Sequence, residues 1–304
     1  MKKRSYFITT IIVLLAIITL AVVQISLSSK IKQTIKNWAG EYGIEISDFK
    51  CNVNLLTGNI NFKNLTLKQK DNVFKIKQGY ITFKISEFLS DRSIKGIHIT
   101  KAELMLENFI PFSFPAMTEK PFAIDEIEIK NLILKIGPSN GETISDINIS
   151  GSLKGIGTNK KTTFSINASA NSSFVEIKGD FDFDDWKKRL TYHVFGKDIS
   201  LEILNTLEEK FLPVQIREQL LSLYLKDVLT VDIKGKMNIT GDGKINEQNI
   251  DSKLKFLVYE LSCETENQRI KSLIKKVKSK GVLEIDYKIY GTTSNPFLTY
   301  DIAF

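Results

Sequence analysis

Two cysteines and two histidines are the whole supply of thiol and imidazole in 304 residues. Cys51 and Cys263 are too few for a disulfide-dense scaffold or a Cys-based zinc site, and His98 and His193 leave no room for a His-rich metal centre. Each histidine stands alone in sequence and reads as an ordinary strand residue. Six prolines and 17 glycines exclude collagen-like and Pro-rich low-complexity chains. A Gly-rich phosphate loop, a Ser elbow, an HExxH helix and a paired-Cys motif are all missing. The expectation is a protein that is not an enzyme, with no catalytic residue, no metal and no cofactor. Whether the two cysteines pair is left open by the sequence.

What is present is the composition of a folded chain, 42% hydrophobic and 25% charged. Its length allows one large domain or two small ones. The formal charge is +7, of which a basic leader supplies three. A nucleic-acid partner would want clustered bases with stacking aromatics. No such cluster occurs among the strands, so no nucleic acid is expected.

Lys2, Lys3 and Arg4 precede an uncharged run from Tyr6 to Leu27, 22 residues long. As a helix it would span about 33 Å, the thickness of a bilayer core. Phe7, Ile11, Leu15, Ile18 and Val22 are the expected anchor residues. A signal h-region is shorter and ends in a small-x-small site. Ser26-Leu27-Ser28 matches that poorly, so an uncleaved anchor is expected rather than a cleaved signal. The basic flank predicts a cytoplasmic N-terminus with the bulk of the chain on the far side.

Beyond the anchor, Ile31, Ile35, Trp38, Ala39 and Tyr42 form one helical stripe, closed by Gly43. From Ile44 the apolar period changes to two. Ile60-Asn61-Phe62 and Leu65-Thr66-Leu67 alternate with a slip between them that reads as a bulge. Alternation continues through Ile81, Phe83 and Ile85, through Ile97 and Ile99, and through Leu104 and Leu106. Pro111, Pro115 and Pro121 mark an internal boundary. Strands resume with Ile127 and Ile129 and with Leu132 and Leu134, then recur at spacings that suggest an antiparallel meander. Helical stripes interrupt near 199–226, broken at Pro213, and near 267–280, where Lys271, Lys275, Lys276, Lys278 and Lys280 surround the stripe. The run Asp180-Phe181-Asp182-Phe183-Asp184 lacks the Gly and Glu of a calcium loop and reads as a strand with Phe inward and Asp outward.

The expected fold is mainly β with a few helices. Residues 1–29 are the flank and anchor, 30–110 a first β region, 111–121 a Pro-rich loop and 122–304 a second β region with the inserted helices. The helices can cover only part of so much apolar sheet. Either the rest packs on a second sheet as a β-sandwich, or it lines a groove for something apolar. Candidate groove residues are Ile81, Phe83, Ile85, Ile97, Ile99, Leu104, Leu106, Ile127, Ile129, Leu132 and Leu134. A register error of one residue would invert them all.

The layout resembles the AsmA-like family of bacterial envelope proteins, including its TamB-type and YhdP-type members. The resemblance rests on the basic start and membrane helix, on Gly43-Ile44-Glu45-Ile46, and on Leu55-Leu56-Thr57-Gly58-Asn59-Ile60-Asn61-Phe62 through Leu65-Thr66-Leu67. At the other end it rests on Gly281-Val282-Leu283-Glu284-Ile285 and on Tyr290-Gly291-Thr292-Thr293-Ser294-Asn295-Pro296-Phe297. It implies a long curved antiparallel sheet, a taco-shaped β-groove with an apolar floor, anchored in the inner membrane with its bulk in the periplasm. It further implies handling of phospholipid or another apolar lipid in cell-envelope maintenance, as in lipid transport and outer-membrane biogenesis, with other envelope proteins as partners. A membrane-tethered structural or assembly factor with a protein partner is the alternative expectation.

Overall fold

The computed structural model describes residues 22–37, 39–41, 43–69, 72–84, 87, 93–106, 123–136, 145–157, 161–182, 188–201, 233–264 and 268–303. Helix α1 occupies 22–37 and 39–41. It ends as the glycine predicts: Gly43 takes φ 64°, its N–H donates to the Gly40 carbonyl at 3.1 Å, and the Ile44 N–H donates to Ala39 at 2.9 Å. This paired cap satisfies two orphan carbonyls, and it brings together Ala39 and Ile44, both buried. Trp38 and Tyr42 lie outside the described residues, as do 202–232, which hold most of the expected helices near 199–226.

The strands are β1 (Glu45–Ile46), β2 (Lys50–Asn54), β3 (Asn59–Gln69), β4 (Asn72–Thr82), β5 (Ser93–Leu106), β6 (Ala123–Ile136), β7 (Ser145–Ile156), β8 (Thr162–Ala170), β9 (Ser173–Phe181), β10 (Arg189–Ser200), β11 (Ile233–Asn246) and β12 (Asn249–Cys263). Helix α2 (Gln268–Lys280) follows, then β13 (Leu283–Thr292) and β14 (Asn295–Ala303). All these strands belong to one sheet, in the order β1-β3-β4-β5-β6-β7-β8-β9-β10-β11-β12-β13-β14, with β2 also on β3. At about 4.8 Å per step the path is roughly 58 Å across.

Three expectations are corrected here. The sheet is not antiparallel throughout, because β5 and β6 run parallel with Ile97 opposite Ile127 and Leu104 opposite Leu134. A parallel pair needs a crossover rather than a hairpin, and alternation within strands carries no sign of direction. Nor is there a second sheet among the described residues to make a sandwich. The sheet is also neither closed nor strongly curved, unlike the expected taco-shaped groove.

The membrane anchor is corrected as well. Among the described residues no helix is long and apolar enough to cross a membrane. Phe7, Ile11, Leu15 and Ile18 lie outside the described residues, and Val22 is an exposed residue of α1.

The slip in alternation read between Phe62 and Leu65 is present, but it is not a bulge. Asn64 adopts φ 58°, and β3 and β4 each skip one residue there, with Lys63 opposite Gln78 and Leu65 opposite Ile76, so their register is unchanged. Asp198 on β10 and Glu260 on β12 take similar φ values of 52° and 54°, beside register shifts in β10–β11 and β11–β12. Each bulge returns the following apolar residue to the same face.

Two buried clusters form at opposite ends of that face. One gathers Phe49, Phe62, Leu65, Ile76, Ile99, Ala102 and Leu132, with Ile35 of α1 packed on it. The other gathers Ile199, Met237, Val258, Leu261 and Leu283 beneath Ile274 and Val277 of α2. The described Lys residues of α2 are exposed while its stripe packs inward, and Gly281 ends the helix by donating to Val277 at 2.7 Å. Cys51 on β2 and Cys263 on β12 form no disulfide. The intervening strands separate them by about 48 Å, far beyond disulfide reach.

Candidate apolar binding face

Cross-strand register decides which side chains share a face. One row can be followed across the sheet: Cys51, Phe62, Gly79, Ile99, Ile129, Gly151, Ile166, Ile177, Val194, Gly241, Leu254, Tyr287 and Tyr300. No member is charged. The alternate residues form a polar row on the other face: Asn61, Tyr80, His98, Glu128, Ser152, Ser165, Lys178, His193, Asp242, Lys253, Lys288 and Thr299. The sheet is therefore two-sided along this row, although Phe174 and Phe195 stand exposed on the polar face over β9 and β10, their rings 6.4 Å apart.

Glycines on the apolar face lie where a large side chain crosses from the next strand. A Cβ on Gly79 would sit 2.4 Å from the Phe62 ring, and one on Gly243 would sit 2.3 Å from the Tyr192 ring. The rings lie over backbone and keep the surface low. Tyr192 and Ser252 put two hydroxyls on this face, and they satisfy each other by a hydrogen bond.

Eight of the sequence-derived candidates stand on this face. They are Ile81, Ile97, Ile99, Leu104, Ile127, Ile129, Leu132 and Leu134, matched in register across β4, β5 and β6. Phe83 follows β4, its N–H donating to Gly58 at 2.8 Å. Leu106 takes the register position opposite Ile136, and Ile85 lies outside the described residues. Ile99 and Leu132 are buried within the α1-side cluster, and Ile81, Leu104 and Ile129 pack on it.

The face opens farther along. Ile166 on β8 is 41% exposed, although it sits mid-sheet on the apolar side. Phe164, Ile177 and Leu153 around it are half-buried and belong to neither cluster. These residues were not among the sequence-derived candidates. Their alternation was visible in Phe164-Ser165-Ile166 and Val175-Glu176-Ile177, but nothing in a strand's own sequence says which neighbours a helix will cover.

The polar face is held by cross-strand pairs. His98 Nδ1 lies 3.1 Å from Glu128 Oε2 with Tyr80 stacked on the imidazole at 4.6 Å, and His193 Nδ1 lies 2.6 Å from Asp242 Oδ1. Asp180 meets Lys161 and the Thr191 hydroxyl. Burial works to raise its carboxyl, but those contacts and Arg189 outweigh it and hold it below the usual value. Among the described residues no group of three His, Cys, Asp or Glu could hold a metal ion.

No family model and no curated protein matches the chain. The AsmA-like resemblance is thus left without support, because its turn-and-strand patterns are common to many β-proteins. With it are withdrawn phospholipid handling in the cell envelope, the tethered assembly factor, and the single-pass inner-membrane location with a periplasmic bulk. These rested on a family match that is not found and on a spanning helix that the described residues do not contain.

Proposed function

We propose that this chain is a non-catalytic binding protein whose apolar sheet face takes an apolar molecule of hydrocarbon character over β7–β10. The observation that carries the reading is Ile166, a large aliphatic side chain 41% exposed in the middle of the apolar face, between the two buried clusters. Its neighbours offer hydrocarbon and aromatic surface, and the flanking backbone is already paired within the sheet. A ligand there gains by leaving water rather than by hydrogen bonding. The proposal concerns ligand class alone and includes no anchor, envelope location or transport. The non-catalytic part is supported by the polar face, where the carboxylates and imidazoles engage one another across strands. Lysines interleaved there with acids likewise favour no nucleic-acid partner.

Native mass spectrometry of the detergent-free chain, with extraction of any bound species, tests the reading. An apolar species retained by the wild-type chain and lost from a folded Ile177→Ser variant is the expected result. A ligand-free chain that also fails to take up an added long-chain fatty acid would overturn it.

A further inference from the structure

Among the described residues, strand β14 is one edge of the sheet, with no strand paired on its outer side. In an antiparallel ladder successive residues bond alternately inward and outward. Pro296, opposite Gly291, has no N–H to give β13, so it holds an outward position. Leu298, Tyr300 and Ile302 share its parity. The Ile302 N–H is already taken by the Asp301 carboxylate at 2.9 Å. Leu298 and Tyr300 are left with outward N–H and C=O groups, two adjacent sites for ladder bonds.

The side chains around this window define what fits. Leu298, Tyr300 and Ile302 continue the apolar face, and Ile302 is 41% exposed. On the polar face Asp301 stands directly opposite Asp286, a like-charge pair that costs stability. Asp301 has no ion-pair partner among the described residues. A second copy of β14 supplies no remedy, because the strand NPFLTYDIA contains no Lys or Arg.

We infer that β14 is a docking edge for an extended segment of another polypeptide. That segment adds as a further strand through Leu298 and Tyr300, sets aliphatic residues on the apolar face, and places a Lys or Arg beside Asp301.

The test uses the full chain and a labelled synthetic peptide alternating Val with Lys and Thr, read by fluorescence anisotropy and by amide exchange. Saturable binding with slowed exchange at Leu298 and Tyr300 is expected. Leu298→Pro removes only an outward N–H, as Pro296 already does, and should weaken binding by about tenfold or more. Asp301→Lys keeps the outward groups of Leu298 and Tyr300, releases the Ile302 N–H, and should switch preference to the same peptide with Glu in place of Lys. No binding, binding indifferent to both substitutions, or self-association through β14 in place of peptide binding would each overturn the inference.

Discussion

Ile166 and Ile177 stand directly opposite each other on β8 and β9, on the stretch of apolar face that lies between the two helix-covered clusters. Ile149 on β7 still packs against one cluster, and Val175 on β9 against the other. Among the described residues, the helices α1 and α2 pack on the clusters to either side and not on the strip between them. At about 25 cal/mol per Å², covering what Ile166 still exposes is worth roughly 1–2 kcal/mol. A ligand touching several such side chains would gain a multiple of that.

Gly179 lies opposite Phe164 on the same face. A Cβ there would come within 2.0 Å of the Thr191 carbonyl oxygen and 2.7 Å of the Phe164 ring. Backbone cannot give way cheaply, so Gly179→Ala should destabilise the fold by about 2–3 kcal/mol, in the range of an overpacked core. Gly40→Ala in α1 meets nothing within 4 Å and should be neutral or stabilising by up to about 1 kcal/mol. Chemical denaturation of both variants checks the contrast, and equal effects would contradict the packing described.

Ser28 ties α1 to the other edge of the sheet. Its hydroxyl accepts the Val53 N–H at 3.0 Å and donates to the Gln24 carbonyl at 2.7 Å, and Val53 is fully buried. Ser28→Ala strands a buried donor and should cost about 1–3 kcal/mol. Hydrogen exchange at the Val53 amide should accelerate more than at Ile76, whose backbone pairs within the sheet.

Acid should loosen the parallel pair first. A hydrogen bond from Lys135, whose Nζ lies 2.6 Å from Glu103 Oε1, is the main reason the Glu103 carboxyl sits below its ordinary value of 4.5. A depressed carboxylate contributes stability above that value and loses it as pH falls through the folded pKa. Glu103→Gln should therefore flatten the stability profile below about pH 4.5. An unchanged acid limb would contradict this role.

Base should act on the Asp198 bulge. Burial, followed by a hydrogen bond to Asp198, raises the Tyr259 phenol from 10.0 to about 12. The Asp198 N–H also donates to Asn238 Oδ1 at 2.9 Å. Because the folded phenol holds its proton longer, its contribution is complete below pH 10 and is lost as pH rises towards 12. Tyr259→Phe should remove that alkaline limb, which a stability titration would detect.

Much of the local structure is legible in the sequence. Alternation placed Ile81, Ile97, Ile99, Leu104, Ile127, Ile129, Leu132 and Leu134 on one face, and the slip before Leu65 marked the change of parity at Asn64, which β4 matches without a bulge. Gly43 and Gly281 marked helix ends because they follow apolar stripes of period 3.6. The pairing of β5 with β6 was not legible, since a strand reads alike in either direction. Single sheet versus sandwich was equally hidden, because both bury one face of each strand. The open strip at Ile166 depends on where α1 and α2 dock, a tertiary fact that no local window holds.

The central claim is that the open strip, and not the polar face, receives an apolar ligand. It is tested most directly by titrating the chain with a fluorescent polyene fatty acid and comparing Ile166→Asp with Ser165→Asp. These neighbours carry the same new charge to opposite faces of β8. The account predicts that Ile166→Asp weakens binding by about tenfold or more, with Ser165→Asp close to wild type and both chains folded by circular dichroism. Equal loss in both variants, or undiminished binding in folded Ile166→Asp, would contradict it.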